Sequence, residues 1–115
     1  MAHTFVRRRT SWGLLLVTAM AAGCGDDPTG PVTTTSVEVR DNRFEPGSIR
    51  VSPGAVVTWT WSGSATHDVN FVDASITDAT PRSSGTYSTA MPSTAGTYAY
   101  ACNFHYGMSG AVTVQ

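Results

Sequence analysis

Between residues 36 and 115 apolar and polar side chains alternate in short runs. SVEVR (36–40), SIRVS (48–52), VVTWTW (56–61), HDVNF (67–71), GTYS (85–88), GTYAYAC (96–102) and AVTVQ (111–115) all show the period of two that belongs to a half-buried strand. Pro46-Gly47, Pro53-Gly54, Ser62-Gly63, Pro81, Pro92 and Gly96 punctuate the runs, and no helical periodicity of useful length interrupts them. The pattern predicts an all-β domain, an antiparallel sandwich or barrel. Period-2 spacing puts Val57, Trp59 and Trp61 on one face of their strand. His67, Val69 and Phe71 share a face in the same way, as do Tyr98, Tyr100 and Cys102, while Val112 and Val114 close the last strand. His67 and Cys102 therefore each sit at the end of a strand, on its apolar side.

The first 35 residues read differently. Arg7-Arg8-Arg9 precedes an apolar run from Trp12 to Gly23 that is shorter than the roughly 20 residues a spanning helix needs. A basic start, a short apolar middle and a small-residue end are the parts of a secretory signal, assigned to residues 1–23. MAAGC, ending at Cys24, resembles the lipobox of bacterial lipoproteins, with Ala21 where Leu is usual. The alternative is a plain signal that leaves Cys24 as a spare thiol. RRRTSWG lacks the apolar residue expected soon after a twin-arginine pair. GDDPTGPVTTT (25–35) has one aliphatic residue and reads as a flexible spacer, so residues 24–35 are expected to tether a single domain over 36–115. The expected location is outside the cytoplasm, periplasmic or held on the outer side of a bacterial membrane through a lipid on Cys24.

From Cys24 onward four arginines face eight acids, a net charge of −4, and the chain has no lysine. A mildly acidic domain without a basic stripe argues against nucleic acid as partner. Beyond Cys24 the only cysteine is Cys102, so the domain has no internal disulfide to form. A single thiol in an oxidising compartment is a liability unless it is buried or holds a metal.

Past the signal only two histidines remain, His67 and His105, and two methionines, Met91 and Met108. YACNFHYGMSG (100–110) sets Cys102, His105 and Met108 three residues apart on one turn. Thiolate and thioether are soft donors that favour Cu(I), and imidazole suits both copper states. Two histidines and a cysteinate in a plane with a weak axial methionine form a blue-copper electron-transfer site. Structural zinc does not use methionine. A Cys–His nucleophile pair gives Met108 no role. Packing alone accounts for Cys102 and Met108, but not for His105 on a Gly-containing turn. The expected cofactor is one copper ion held by His67, Cys102, His105 and Met108.

The chain resembles the cupredoxins, plastocyanin and amicyanin in particular. The resemblance rests on GTYAYACNFHYGMSGAVTV near the C-terminus and on Phe44, Pro46, Val51, Gly54, Val57, Trp59, His67 and Phe71 upstream, and covers nearly all of residues 37–115. The short Cys-x2-His-x2-Met spacing is that of amicyanin-like members. The resemblance implies a Greek-key β-sandwich and single-electron transfer, with His67, Cys102 and His105 as equatorial ligands and Met108 as the axial one. It also implies a monomer, not an enzyme, whose protein redox partners dock near His105. His105, Tyr106, Gly107 and Met108 would form the docking patch, unless Tyr106 merely covers the loop.

Two residues depart from the family pattern. Phe104 stands where Pro usually precedes the second histidine, which adds a backbone N–H beside the sulfur. Aimed at the sulfur, it would favour the reduced site. Asp68 stands where Asn commonly follows the first histidine. Asn can donate and so bridge the ligand loops, whereas an ionised carboxylate only accepts and favours Cu(II).

Other classes were weighed on the same residues. Multicopper oxidases need further copper sites, and two histidines cannot build them. A periplasmic copper chaperone or scavenger would use the same ligands without shuttling electrons. A structural lipoprotein domain with a vestigial site would fold equally well without copper.

Overall fold

Residues 30–115 are described by the computed structural model; the expected signal sequence, Cys24 and most of the expected tether lie outside the described residues. Ten strands follow one another with no helix between them: β1 (Val32–Thr33), β2 (Ser36–Val39), β3 (Phe44–Glu45), β4 (Ser48–Val51), β5 (Val56–Trp61), β6 (His67–Phe71), β7 (Ala79–Arg82), β8 (Thr86–Ala90), β9 (Gly96–Ala101) and β10 (Ser109–Val114). They form a six-stranded sheet, β1-β4-β10-β9-β6-β7, and a four-stranded sheet, β3-β2-β5-β8. The all-β sandwich expected from the alternation is the architecture observed.

Alternation becomes burial where it was read. In β2, β5 and β10 the residues that turn inward, Val37 and Val39, Val57, Trp59 and Trp61, Val112 and Val114, are buried, and those between them are more exposed. Three details differ from expectation. The sheets are mixed rather than antiparallel, because β4 pairs parallel with both β1 and β10, and β2 pairs parallel with β5. Side-chain period carries no information on strand direction; the crossovers that return the chain to the far side of a sheet decide it. The last residues of the expected tether are not free: Val32 and Thr33 pair with Ile49 and Arg50. Both side chains stay exposed, so this strand is held by backbone bonds that leave no apolar signature. Finally, β3 and β7 are too short or too polar to show a period, and β7 contains Pro81 at an edge, where a missing N–H is tolerated.

Trp59 joins the two sheets. Its ring meets Phe71 edge-on at 5.6 Å and Tyr100 at 5.5 Å, and Tyr100 in turn meets Phe44 at 4.8 Å. Each such pair adds about 0.5–1.5 kcal/mol beyond its buried area. Burial pushes the Tyr100 hydroxyl up to about 12; the nearby Trp59 indole N–H offsets this slightly without reaching hydrogen-bond geometry. Gly110 is directly opposite Tyr100 in the β9–β10 pair, and a Cβ there would run into the tyrosine ring. The glycine thus makes room for the Tyr100 ring, two residues before Cys102. Gly110→Ala should destabilise the domain by about 1–3 kcal/mol, the usual cost of overpacking, read as a lower urea midpoint at unchanged slope.

Candidate metal centre

The centre forms where β6 and β9 run side by side. Asn70 pairs with Ala101 and Phe71 with Tyr100, so Cys102, one residue past the end of β9, emerges beside the start of β6 and His67. Its sulfur lies 3.7 Å from Nδ1 of His67 and 3.7 Å from Nδ1 of His105. The ligand atoms of these three residues all fall within 4.8 Å of one another. His67 is fully buried and Cys102 nearly so, while His105 is half-buried. The two imidazole rings stack loosely, with centroids 4.5 Å apart.

These spacings can be compared with what an ion requires. A first-row metal with bonds of about 2.3 Å to thiolate and about 2.0 Å to imidazole, at the 120° of a trigonal plane, separates sulfur from nitrogen by about 3.7 Å. The cysteine–histidine distances match this for both histidines, so the sulfur and the two Nδ1 atoms are placed to share one ion. Met108 lines the same cavity as Cys102 and His105, on a turn that closes on itself. Cys102 N–H donates to the Met108 carbonyl at 2.9 Å, and Met108 N–H donates to the His105 carbonyl at 3.2 Å. Gly107 supplies the left-handed step, φ +79°, between them. The Met108 side chain is buried beneath the loop. Met91 and Met108 both belong to the buried core cluster, but of the two Met108 lines the cavity shared by Cys102 and His105.

Other residues hold His67 in place. The Trp61 indole N–H donates to its carbonyl at 3.3 Å, and the Arg82 guanidinium covers the Trp61 ring at 5.2 Å. On the imidazole, Nε2 faces Asp41 Oδ1 at 3.3 Å, across from the Nδ1 that faces sulfur. The Asp41 carboxyl is held below its ordinary range, first by the Ala65 N–H and then by His67. Sequence reasoning did not find Asp41 or Trp61. An Asp-Asn pair between two strands reads as an ordinary turn, and Trp61 as core.

Asp68 behaves differently from the sequence expectation. The β6–β7 pairing slips between His67 and Val69, and Asp68 is buried between these two buried residues where strict alternation would expose it. Asp68 Oδ1 accepts the Asn103 N–H at 2.8 Å. The link between the two ligand segments is therefore present, because an acceptor suffices for it. Among the described residues, no hydrogen bond runs from the Phe104 N–H to the sulfur, whose partners in range are the two Nδ1 atoms.

A β-sandwich with two histidines and one cysteine converging at one end of its strands defines a small mononuclear metalloprotein. The comparisons with known proteins specify it further. The model of the cupredoxin-like domain family matches residues 13–114. Amicyanin-alpha of Methylorubrum extorquens is 32% identical over 103 residues, which cover 84% of this chain and 86% of the relative. Among solved structures, a purple cupredoxin from Nitrosopumilus maritimus superposes with a TM-score of 0.63 at 21% identity, over 71% of this chain and all of that one. A mutant plastocyanin of a fern superposes with a TM-score of 0.57 at 28% identity, over 70% of this chain and 99% of that one. The chain belongs to the cupredoxin family. Its cofactor is a single copper ion, and it is not an enzyme.

Asp68→Asn keeps an oxygen for the Asn103 N–H and removes one negative charge beside the ligands. The reduction potential of the copper form should rise by voltammetry; a fall would show that the charge of Asp68 does not stabilise Cu(II).

Proposed function

We propose that the protein is a mononuclear blue copper protein that carries single electrons between redox proteins outside the cytoplasm. One observation carries this reading: the Cys102 sulfur is equidistant from two imidazole nitrogens at the spacing of a trigonal site. His67 and His105 would bind through Nδ1 and Cys102 through sulfur, with Met108 as the weak axial donor. Copper so bound supplies a one-electron couple between Cu(II) and Cu(I). The protein's part is to keep the donors where they are in both states. His67 begins β6 and Cys102 directly follows β9, paired strands of the same sheet, so little rearrangement accompanies a change of charge, and low reorganisation favours fast exchange.

His105 is where electrons would pass. It is half-buried, between Phe104, 54% exposed, and Tyr106, fully exposed. This offers a partner an apolar surface next to a ligand edge. The arrangement suits a monomer that meets its redox partners briefly. Export rests on the basic and apolar start of the chain, and a lipid on Cys24 would hold the domain to a membrane.

Cu(II) added to the purified domain should give an intense blue charge-transfer band that is absent in Cys102→Ala. A colourless protein that binds only Cu(I) would instead indicate copper delivery or storage. Copper should also raise stability by about 4 kcal/mol at a free concentration 1,000-fold above its dissociation constant, an increment that Cys102→Ala loses. The docking patch is tested separately by Tyr106→Lys. Electron self-exchange, in which two copies meet at the same face, should slow about tenfold through like-charge repulsion with an unchanged visible spectrum. Unchanged exchange would place electron entry elsewhere.

A further inference from the structure

Asp41 lies in the turn between β2 and β3, away from every expected ligand in sequence, yet its carboxylate gathers four donors. Oδ1 accepts from the Ala65 N–H at 2.8 Å, the Ser64 N–H at 2.9 Å and His67 Nε2 at 3.3 Å. Oδ2 accepts from the Ser64 hydroxyl at 3.3 Å. The loop that leads into β6 is thus wrapped around this carboxylate. Gly63 is part of the arrangement: a Cβ there would occupy the position of the Asp41 carboxylate. Its φ is not in the left-handed region, so room for Asp41, and not backbone conformation, is what excludes a side chain.

We propose that Asp41 is a positioning residue for the metal centre, which fixes the His67 imidazole in the tautomer protonated at Nε2 and so presents a free Nδ1 lone pair to the ion. A carboxylate only accepts, so the ring nitrogen facing it must carry the proton. In the neutral ring the other nitrogen is then unprotonated, and it faces Cys102. Such an outer partner fixes both the tautomer and the rotation of a ligating imidazole and strengthens it as a donor. Because the same carboxylate clasps Ser64 and Ala65, the loop and the ring are set together, and the site is formed before an ion arrives. The inference rests on His67 being a ligand through Nδ1.

The experiment compares the wild type with Asp41→Ala, Gly63→Ala and Asp41→Asn. In the metal-free protein, long-range proton–nitrogen NMR of the histidine side chains should find His67 entirely as the Nε2–H tautomer. Asp41→Ala and Gly63→Ala should both convert it to a mixture, by two unrelated changes that open the same clasp. Asp41→Asn keeps the shape: its amide oxygen accepts the three donors of Oδ1, and its amide N–H can donate to the Ser64 hydroxyl. It should keep the tautomer and lose only the charge. In the copper form, Asp41→Ala should bind copper roughly 10- to 100-fold more weakly, and Asp41→Asn should have a higher reduction potential, because a less polarised imidazole stabilises Cu(II) less. Retention of the wild-type tautomer in Asp41→Ala, or an unshifted potential in Asp41→Asn, overturns the proposal. Should the alanine variants not fold, the potential of Asp41→Asn decides alone. The tautomer is read without copper, so a wild type that fails to take up the metal would overturn the proposed function while the NMR result still judged the clasp.

Discussion

The pairing of β6 with β9 is the constraint on which the centre depends. His67 and Cys102 are 35 residues apart in the chain, and they meet because Asn70 lies opposite Ala101 and Phe71 opposite Tyr100. A slip of one residue in that register would turn Cys102 to the other face of the sheet. What resists the slip is the aromatic cluster. Phe71 and Tyr100, directly opposite each other, stand 5.4 Å apart, and Trp59 of the other sheet meets both. The core therefore does more than provide stability. Its packing sets the distance between sulfur and imidazole, which is the quantity an electron-transfer site must keep constant.

Placing polar ligands at the edge of an apolar core has a cost that the surrounding residues offset. A buried polar group without a partner costs about 1–3 kcal/mol. Here both buried polar side chains at the centre are partnered: His67 by Asp41, and Asp68 by the Asn103 N–H. The same two carboxylates tie the ligand segments together. Asp68 joins β6 to the loop that follows Cys102, and Asp41 joins the β2–β3 turn to the loop before His67. Elements from both sheets thereby converge on one histidine ring, which leaves that ring little freedom to rotate.

Much of this was legible in the residues, for physical reasons that also mark the limits. Trp59, Val69, Tyr100 and Val112 obey period two and are buried, so the sandwich could be read without knowledge of its topology. The Cys102–His105–Met108 spacing was readable because a turn is local. His67 was reachable by elimination, since one other histidine remained outside the expected signal. Strand direction, the paired backbone of Val32–Thr33 and the partner of Asp68 were not readable. Each depends on a backbone donor or acceptor of another strand, which no side-chain pattern encodes. Asp41 was hidden for a related reason. Its partners are Ser64, Ala65 and His67, and only the folded crossing of two loops brings them within 3.3 Å.

The two halves of the ligand set differ in rigidity. His67 and Cys102 are buried, strand-borne and held by side-chain bonds. His105 and Met108 lie on a loop closed by two backbone hydrogen bonds and one left-handed glycine. That loop also carries the exposed aromatics Phe104 and Tyr106. A surface that must release its partner after each electron benefits from being small, because a patch of two aromatic side chains buries far less than the 1,200–2,000 Å² of a stable complex. Under the proposed function, brief docking and fixed donors would be met by different parts of one site. The strands would keep the metal geometry constant, and the loop would make the surface contact without the core having to move.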